Sequence, residues 1–404
     1  MVKGRWSVVK GRRATGTVNI EGQLGADVAL AHDWLNGMRG GERCLELIAG
    51  EFPEATIYTL LYCPEALSEE LRRHRAVVSG LSRVPGFKKH YRLFLPLFPW
   101  AIERFRVPEG TKLVISTSHC VAKGIRAPKG ARHLCYCFTP MRYAWALADE
   151  YFGARGLKRA VVDGMLARLR RWDAESAGRV DRLVAISEHG RKRIAAHYGR
   201  EAGVVYPPAD TGFFTPGAVE PGEVAAAAGV EREWVEGGYD LVVSALVPYK
   251  RIDLAVRAAE ATGRRLLVAG AGGEEGKLRR LAGDCVRFAG RPGDEAIRTI
   301  YRGCRCLVFP GEEDFGIVPV EVQSCGKPVV AFGKGGALET VRDGVSGVFF
   351  GEQSAEALGA ALEKASGTRW DAAEIRRGAE RFGRERFLEG IRREIGLVMA
   401  GERR

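Results

Sequence analysis

The stretch C-L-V-F-P-G-E-E-D-F-G-I-V-P-V-E, from Cys306 to Glu321, contains the unit from which the chain is built. Its apolar run at 306–309 predicts a buried strand, and residues 310–315 form the loop that leaves it. Pro319 is predicted to begin a short helix, which places Glu321 at about the third helical position. A buried strand that leads through a loop into a helix is the repeating unit of a parallel α/β sheet.

The same order of strand, loop and helix recurs along the chain in two series. The predicted strands are 28–31, 55–59, 113–117, 133–137 and 182–185 in the first series, and 239–244, 265–269, 286–289, 306–309, 328–332 and 347–350 in the second. The run Tyr206-Pro207-Pro208, followed by Pro216 and Pro221, separates them. We therefore predict an α/β protein with two doubly wound, Rossmann-like domains that face each other across a cleft.

Four segments follow from this division. They are a basic N-terminal tail at residues 1–24, a first Rossmann-like domain at 25–206, a second at 207–385, and a C-terminal helix at 386–404 that crosses between the domains. In open α/β sheets, ligands bind outside the carboxyl ends of the strands. The residues that follow each strand are therefore the candidates for function.

The composition is that of a globular protein. With 46% hydrophobic and 28% charged residues, the chain is neither disordered nor fibrous. No apolar run approaches the roughly 18 residues that span a bilayer. The first residues lack the apolar centre of a secretion signal, so a cytoplasmic protein is expected. The nine cysteines lack zinc-site spacing, which predicts buried, reduced thiols and no metal.

The net charge of +12 indicates an anionic partner. The basic residues are scattered and accompany no nucleic-acid-binding motif, which argues against nucleic acid. Residues 82–106 mix aromatic side chains with the cations Lys88, Lys89, Arg92, Arg104 and Arg106. Two interpretations stay open at this point. The segment contacts an anionic membrane surface, or it is a helical arm whose aromatic side chains pack inward.

Several candidate binding residues lie where strands end. Gly40 and Gly41 precede a predicted helix, so the backbone there can approach a ligand; a tight turn is the alternative. Lys250 and Arg251 oppose the dipole of the helix that they precede unless an anion is bound, which points to a phosphate at Lys250. His119 either contacts a sugar or is a hydrogen-bonded core histidine.

Two carboxylates, Glu313 and Glu321, flank the apolar turn Phe315–Val318. An acid in the first helical turn is stabilised by the helix dipole, which explains Glu321 alone. It explains neither the three consecutive acids at 312–314 nor the glycine-containing turn. An acid/base pair, a ligand clamp and a capped helix remain open from the spacing alone.

Longer motifs resemble those of retaining glycosyltransferases of family 4, which have the two-domain GT-B architecture. Glu313, seven residues and Glu321 resemble the E-x7-E motif of that family, and G-G-A-L-E-T-V at 335–341 resembles its glycine-rich turn. The motifs H-D-W-L, F-T-P-M-R-Y-A-W and A-L-V-P-Y-K-R-I-D-L begin at residues 32, 138 and 245. They are similar to those of bacterial mannosyltransferases that assemble surface polysaccharide from GDP-mannose.

This resemblance implies a role for each matching residue. Glu321 would hold the donor ribose, and Lys250, with Arg251, would neutralise the diphosphate. The transferred sugar and the phosphates would contact Glu313 and the amides near Phe315, Gly316, Ile317 and Val318. The catalytic residues would be Glu313, Lys250 and His119.

Two positions depart from the family pattern. Ala245 stands where many members have a phosphate-binding arginine, so Lys250 and Arg251 must carry the phosphate charge. Phe138 stands where relatives have a histidine, which leaves His119 as the histidine that contacts the sugar.

The leading expectation is a hexosyltransferase that moves mannose from GDP-mannose to a saccharide or polyprenyl-linked saccharide. It implies a nucleotide sugar as substrate, a first domain that binds the acceptor, no cofactor, and a peripheral position on the inner face of the plasma membrane. The alternatives are a UDP-sugar donor, a nucleotide-binding protein with little catalysis, and a glycoside hydrolase that uses Glu313 and Glu321.

Overall fold

A computed structural model of the chain describes residues 27–145 and 157–402, with side chains at all of these positions except 157 and 158. The chain falls into two compact units. Unit 1 contains the described residues up to Pro207 and those from Phe387 onward, and unit 2 contains Pro208–Arg386. The basic tail predicted at 1–24 lies outside the described residues.

Unit 1 is built on one parallel sheet. Its strands are β1 Val28–His32, β2 Thr56–Thr59, β3 Ala76–Val78, β4 Leu113–Ser118, β5 Arg132–Cys137, β6 Arg182–Ala185 and β7 Gly203–Val204. Their order in the sheet is β3-β2-β1-β4-β5-β6-β7. The direction of winding therefore reverses between β1 and β4, and ligands of such sheets bind outside the carboxyl ends of the strands at the reversal.

Seven of the described α-helices of unit 1 lie between these strands in the sequence. They are α1 Gly40–Gly50, α2 Glu69–Arg73, α3 Phe87–His90, α4 Phe98–Glu103, α5 Arg142–Trp145, α6 Leu157–Gly178 and α7 Glu188–Tyr198, and a 3₁₀ helix at Tyr91–Leu97 joins α3 to α4.

Unit 2 repeats this plan. Its strands are β8 Asp240–Val243, β9 Leu266–Ala269, β10 Val286–Gly290, β11 Leu307–Phe309, β12 Val329–Phe332 and β13 Gly347–Phe350, in the order β10-β9-β8-β11-β12-β13. The helices are α8 Pro221–Ala228, α9 Arg232–Glu236, α10 Ile252–Thr262, α11 Glu275–Leu281, α12 Asp294–Gly303, α13 Ile317–Ser324, α14 Ala337–Thr340, α15 Ala355–Gly367 and α16 Ala372–Glu380. Here the winding reverses between β8 and β11.

The apolar strands form the centre of each unit. Leu30 and Leu134 in unit 1 and Leu267 and Val330 in unit 2 are fully buried, as expected for parallel strands that helices cover on both faces. Local sequence sets the ends of helices. Helix α10, for example, ends at Gly263, whose φ of +68° is the left-handed conformation that glycine adopts without strain.

All eleven predicted strands are present, and each bound lies within one residue of its predicted position. The prediction missed β3 and β7, which have three and two residues and too little apolar sequence to stand out. The predicted helix at 386–404 was also wrong in its limits. The charged C-terminal segment forms α16 and then α17 Arg384–Met399. Across the described residues, no helix is both long enough and apolar enough to cross a membrane.

The free energy of unfolding of unit 1 is expected to fall as the pH drops from about 6.5 towards 4. His32 and His133 are buried, and burial lowers the pKa of each to about 4. The unfolded chain binds a proton below about pH 6.5, whereas the folded chain resists protonation, so each histidine lowers stability by about 1.4 kcal/mol per pH unit in this window.

Urea unfolding at pH 7 and pH 5 measures this effect. His133→Asn should lose less stability between the two pH values than the wild type, and His90→Asn, at an exposed position, should lose the same amount as the wild type. An equal loss in all three proteins would contradict the assignment.

Candidate functional site

In unit 2 the predicted residues come together where the winding of the sheet reverses. Lys250 and Arg251 follow β8, and Glu313 follows β11, the neighbouring strand in the sheet. The Nζ atom of Lys250 forms an ion pair with Oε1 of Glu313. Both side chains are largely buried, at 13% and 16% exposed, so this pair is less screened by solvent than one on the open surface.

Glycines hold the two loops against each other. A Cβ atom added at Gly311 would lie 2.9 Å from the Cα atom of Lys250, so a larger residue would push the loops apart. The predicted glycine-rich turn supports the same loop from its other side. The N–H of Gly336 donates to the carbonyl of Glu313 at 2.8 Å, and a Cβ atom at Gly336 would lie 2.4 Å from the Cα atom of Phe315.

Helix α13 begins in this loop, two residues earlier than predicted. Gly316 is its N-cap residue, with a φ of +84°, and Ile317 is its first residue. Because Gly316 has no side chain, no side chain caps the helix. The amides of Ile317 and Val318 belong to the first turn, where N–H groups lack partners within the helix.

The earlier start corrects the position of Glu321. Pro319 is the third residue of α13 rather than the first, and Glu321 is the fifth rather than the third. Stabilisation by the helix dipole fades after the first turn. The dipole therefore explains Glu321 less well than the sequence indicated.

Tyr301 is a site residue that the sequence did not reveal. Its hydroxyl on α12 donates a hydrogen bond of 2.9 Å to Oε2 of Glu321. Tyr301 is fully buried, and burial, followed by the charge of Glu321, raises the pKa of its hydroxyl well above the ordinary value. The tyrosine thus stays protonated and fixes one oxygen of Glu321. An isolated aromatic residue in an amphipathic helix gives no sequence sign of this contact.

Arg251 has protein partners of its own. It is the one described non-glycine residue with a positive φ, at 53°, and it is the N-cap residue of α10. Its Nε lies 3.3 Å from Oδ1 of Asp253, and its Nη1 donates to Gln353 at 3.2 Å. From the sequence alone, a bound anion was expected to balance Lys250 and Arg251. In the structure Glu313 and Asp253 supply negative charge to these two residues, so no bound anion is required for that balance.

In unit 1, Asp33 organises the carboxyl ends of β1 and β4. Its fully buried carboxylate accepts hydrogen bonds from the backbone amides of His119, Cys120, Val121 and Ala122, at 2.6 to 3.0 Å. Burial alone would raise the pKa of Asp33, but the His119 imidazole and amide hydrogen bonds outweigh it and hold the pKa well below its usual range. Asp33 lay inside the H-D-W-L motif, yet it was not among the predicted site residues.

His119 is neither fully buried nor unsupported. Its Nδ1 lies 3.0 Å from Oδ2 of Asp33, and its side chain is 30% exposed. The ring packs edge-on against Trp34 at 4.5 Å between centroids. Because the carboxylate of Asp33 accepts from Nδ1, the neutral tautomer of His119 would carry its proton there and present Nε2 as an acceptor. Of the two interpretations of His119, this geometry favours a contact with a hydroxyl ligand over a buried core histidine.

Phe138 lies beside His119, and it changes the interpretation of Gly41. The ring centroids of Phe138 and His119 are 6.3 Å apart. A Cβ atom at Gly41 would lie 3.3 Å from the ring of Phe138, so this glycine makes room for the aromatic side chain. Gly40 has no such neighbour, and both glycines are the first residues of α1 rather than part of the preceding loop.

The predicted residues therefore form two groups. Lys250, Arg251, Glu313, Glu321 and the turn at 315–318 lie in unit 2, whereas His119, Gly40 and Gly41 lie in unit 1.

Within 27–145 and 157–402, no three His, Cys, Asp or Glu side chains gather as metal ligands do. All nine cysteines are unpaired, and seven of them are buried.

Part of unit 2 is similar to known glycosyltransferases. Residues 236–382, within unit 2, match the family model described as glycosyl transferases group 1. The D-inositol 3-phosphate glycosyltransferase of Actinosynnema mirum is 32% identical over 191 residues, which cover 42% of this chain and 45% of that relative. The protein of the same name from Frankia alni is 34% identical over 190 residues, covering 41% and 46%. The match thus spans less than half the length of these curated relatives.

Solved structures share the fold of both units. Anabaena HepE, solved with UDP and glucose, aligns with a TM-score of 0.66 at 19% identity, over 91% of this chain and 99% of HepE. Sucrose-phosphate synthase from Thermosynechococcus elongatus aligns with a TM-score of 0.63 at 18% identity, over 93% and 98%. The two Rossmann-like domains are those of the GT-B fold, and the segment at 236–382 matches the glycosyl transferases group 1 family.

Proposed function

We propose that this protein is a retaining glycosyltransferase that moves a hexose from a nucleotide diphosphate sugar to a saccharide or lipid-linked saccharide. The observation that carries the proposal is the group formed by Lys250, Glu313 and the uncapped start of α13, at the reversal point of the sheet. A cation and free amides at such a point form a site for phosphate.

The chemistry requires that the nucleotide diphosphate leave with the electrons of the glycosidic bond. Negative charge then builds on the phosphate oxygens. The ammonium group of Lys250 and the amides of Ile317 and Val318 would stabilise that charge, which is the largest contribution that many enzymes make. Glu321 would bind the ribose hydroxyls, and Glu313 would contact the sugar. His119 would accept a hydrogen bond from a sugar hydroxyl.

The Lys250–Glu313 ion pair gives Glu313 a second role in this proposal. Without donor, the carboxylate balances the ammonium group in a largely buried site. When the diphosphate binds, its oxygens take over that balance, and Glu313 becomes available to the hydroxyls of the sugar. A buried charge without a partner is costly, so each state keeps Lys250 paired.

The contacts argue against a glycoside hydrolase. Such an enzyme needs one protonated and one ionised carboxyl group across the scissile bond. Here an oxygen of Glu313 is paired with Lys250 and an oxygen of Glu321 accepts from Tyr301, so both carboxylates already have protein partners.

Two donors are to be distinguished. The sequence motifs resemble those of enzymes that use GDP-mannose, and we propose GDP-mannose as the first candidate. A UDP-sugar is the second, because HepE, which has the same fold, was solved with UDP-glucose. The names of the curated relatives add an inositol phosphate to the acceptors worth testing.

A panel of sugar nucleotides tests the proposal. GDP-mannose, UDP-glucose, UDP-galactose and the free nucleotides are each added, and the shift in melting temperature and the release of nucleotide are measured. Protection and slow hydrolysis with one sugar nucleotide are expected. Protection without turnover on any acceptor would indicate a binding protein, as Ala245 and Phe138 would permit. No response to any sugar nucleotide would refute the proposal.

Replacing Tyr301 with phenylalanine is expected to weaken donor binding about fivefold to tenfold, which corresponds to one hydrogen bond of about 1 kcal/mol. The substitution removes only the hydroxyl that fixes Glu321. Tyr239→Phe is the matched control, because this buried hydroxyl donates to the carbonyl of Ile300 at 2.6 Å and not to Glu321. Both variants should lose similar stability in thermal unfolding. Equal donor affinity in both variants, measured by calorimetry, would show that Tyr301 has only a structural role.

We also propose a location in the cytoplasm, where a lipid-linked acceptor would hold the enzyme at the inner face of the plasma membrane.

A further inference from the structure

The segment 82–106 exposes a group of apolar side chains on unit 1. Leu93 is 78% exposed, Trp100 is 55%, Leu97 is 48% and Val84 is 39%. These four are the majority of the seven large hydrophobic residues that are exposed among the residues the structure describes. Such a concentration of apolar surface marks a site of contact rather than chance exposure.

The opposite face of the same segment anchors it to the unit. Phe87, Tyr91, Leu95, Phe98 and Ile102 are buried in the core cluster of unit 1. Most of the aromatic side chains thus pack inward, as one of the two open interpretations held. Leu93, Leu97 and Trp100 are a second apolar set that points to solvent. The segment is therefore held firmly while its outer face has no cover within the described residues.

The charge on this outer face is positive. Lys88, Lys89, Arg92 and Arg104 are all exposed beside the apolar residues, and the guanidinium group of Arg104 lies 4.7 Å from the ring centroid of Trp100. Glu103 is the only acid between residues 82 and 106.

The negative charge of Glu103 does not offset these cations, because its carboxylate is already bound by other side chains. Its carboxylate accepts hydrogen bonds from Arg126, Arg179 and Trp172 at 2.7 to 2.8 Å, and its side chain is 20% exposed. The exposed face of the segment therefore combines an apolar centre with cations, and the one acid of the segment is held by Arg126, Arg179 and Trp172.

We propose that residues 84–104, named the docking face, bind the surface of an anionic phospholipid bilayer. Leucine and tryptophan side chains enter the boundary between headgroups and acyl chains, while lysine and arginine contact the phosphates. The charge pattern disfavours a second copy of this chain, because a two-fold interface would bring like charges together. Nucleic acid would leave the apolar centre unused. This inference goes beyond the proposed transfer reaction and does not depend on it.

Sedimentation with lipid vesicles tests the docking face in the full-length protein. The wild type should sediment with vesicles of phosphatidylcholine and phosphatidylglycerol at 3:1 and remain in the supernatant with phosphatidylcholine alone. Binding should fall as NaCl rises from 0.05 to 0.5 M, since salt screens the cations. No binding to the anionic vesicles at the lowest salt concentration would overturn the proposal.

Two pairs of variants separate the apolar and the charged contributions. The double variant Leu93→Ser with Trp100→Ser should weaken vesicle binding at least tenfold, because it removes apolar area from the contact. The double variant Lys88→Glu with Lys89→Glu should also weaken it at least tenfold, because the loss of each cation costs about fivefold. The controls change exposed residues elsewhere on unit 1, Val161→Ser and the pair Lys129→Glu with Lys192→Glu. Equal binding by the variants and their controls would refute the docking face.

Other occupants give different results. If the wild type dimerises in analytical ultracentrifugation and Leu93→Ser with Trp100→Ser abolishes the dimer without affecting vesicle binding, the face belongs to a second copy and the proposal fails. Binding to double-stranded DNA that the same double variant weakens, with no vesicle binding, would overturn it as well. The donor-induced shift in melting temperature should be unchanged in all of these variants, which separates this test from that of the transfer reaction.

Discussion

Lys250→Ala is expected to lower kcat about 100-fold to 1000-fold, which is the usual effect of removing one group that stabilises charge in a transition state. Lys250 is the cation that follows β8 at the reversal of the sheet, and its Nζ is paired with Glu313. Ala245 offers no charge in its place. The loss should be larger in kcat than in donor affinity, since the charge on the diphosphate grows as the bond breaks.

The ion pair complicates this variant, because alanine leaves the carboxylate of Glu313 without its cation. A double-mutant cycle with Glu313→Gln separates the two effects. If Lys250 acts on the phosphate, Lys250→Ala should remain severely impaired when Glu313 is already glutamine. Lys250→Arg should restore part of the activity, because it restores the charge.

Lys277→Ala is the matched control for Lys250→Ala. Lys277 is paired with Glu274 at 2.8 Å on the exposed surface of α11, so its removal deletes a lysine–glutamate pair outside the site. Activity and donor affinity should match those of the wild type. An exposed ion pair contributes about 0.2 to 1 kcal/mol to the stability of the fold, and this pair lies outside the proposed site. Unchanged kcat and donor affinity in Lys250→Ala would remove this residue from the site and with it the main support for the proposed function.

The strands could be predicted because the local sequence of each one is enough to identify it. Short apolar runs bounded by turn residues recur from Val28 to Phe350, and parallel strands need to be apolar on both faces. Helix starts were less predictable. Proline suits the first helical position, but it is tolerated throughout the first turn, and Gly316 supplied the left-handed N-cap that set the start of α13 two residues earlier.

The site shows the same limit at the level of side chains. The sequence could place Lys250 and Glu313 at strand ends, yet their pairing depends on β8 and β11 being neighbours, which strand order alone decides. Tyr301 and Gln353 reach the site from segments whose sequence carries no mark of function. Contacts between distant parts of a chain follow from topology, and periodicity does not encode topology.

Asp33 shows another reason why site residues escape prediction from the sequence. A buried carboxylate is expected to pair with a lysine or an arginine, but Asp33 is stabilised by four backbone amides and by His119. Backbone donors are present in every sequence and so give no pattern. Only the turn after β4 orients them towards a single side chain.

Asp33→Ala is expected to lower the free energy of unfolding of unit 1 by about 3 to 5 kcal/mol, because several buried N–H groups lose their acceptor at once. Asp33→Asn should be milder, since its amide oxygen can still accept two of the four hydrogen bonds, although its NH₂ group faces other donors. Asp371→Ala is the control. This aspartate caps α16 by accepting two amide hydrogen bonds in an exposed position, and its loss should cost about 1 kcal/mol.

Urea unfolding at pH 7 measures the three variants. The pKa of Asp33 in the folded protein lies below its unfolded value, so its contribution is fully present above about pH 4 and disappears as the pH falls through the folded pKa. The difference between wild type and Asp33→Asn should therefore shrink in acid. If Asp33→Ala costs no more than Asp371→Ala, the four amides find water or other acceptors, and Asp33 does not hold His119 in place. If Asp33→Ala fails to accumulate, Asp33→Asn is compared with Asp371→Asn instead. Asp33→Asn should then lose more free energy of unfolding than Asp371→Asn, because Asp33 is the buried carboxylate.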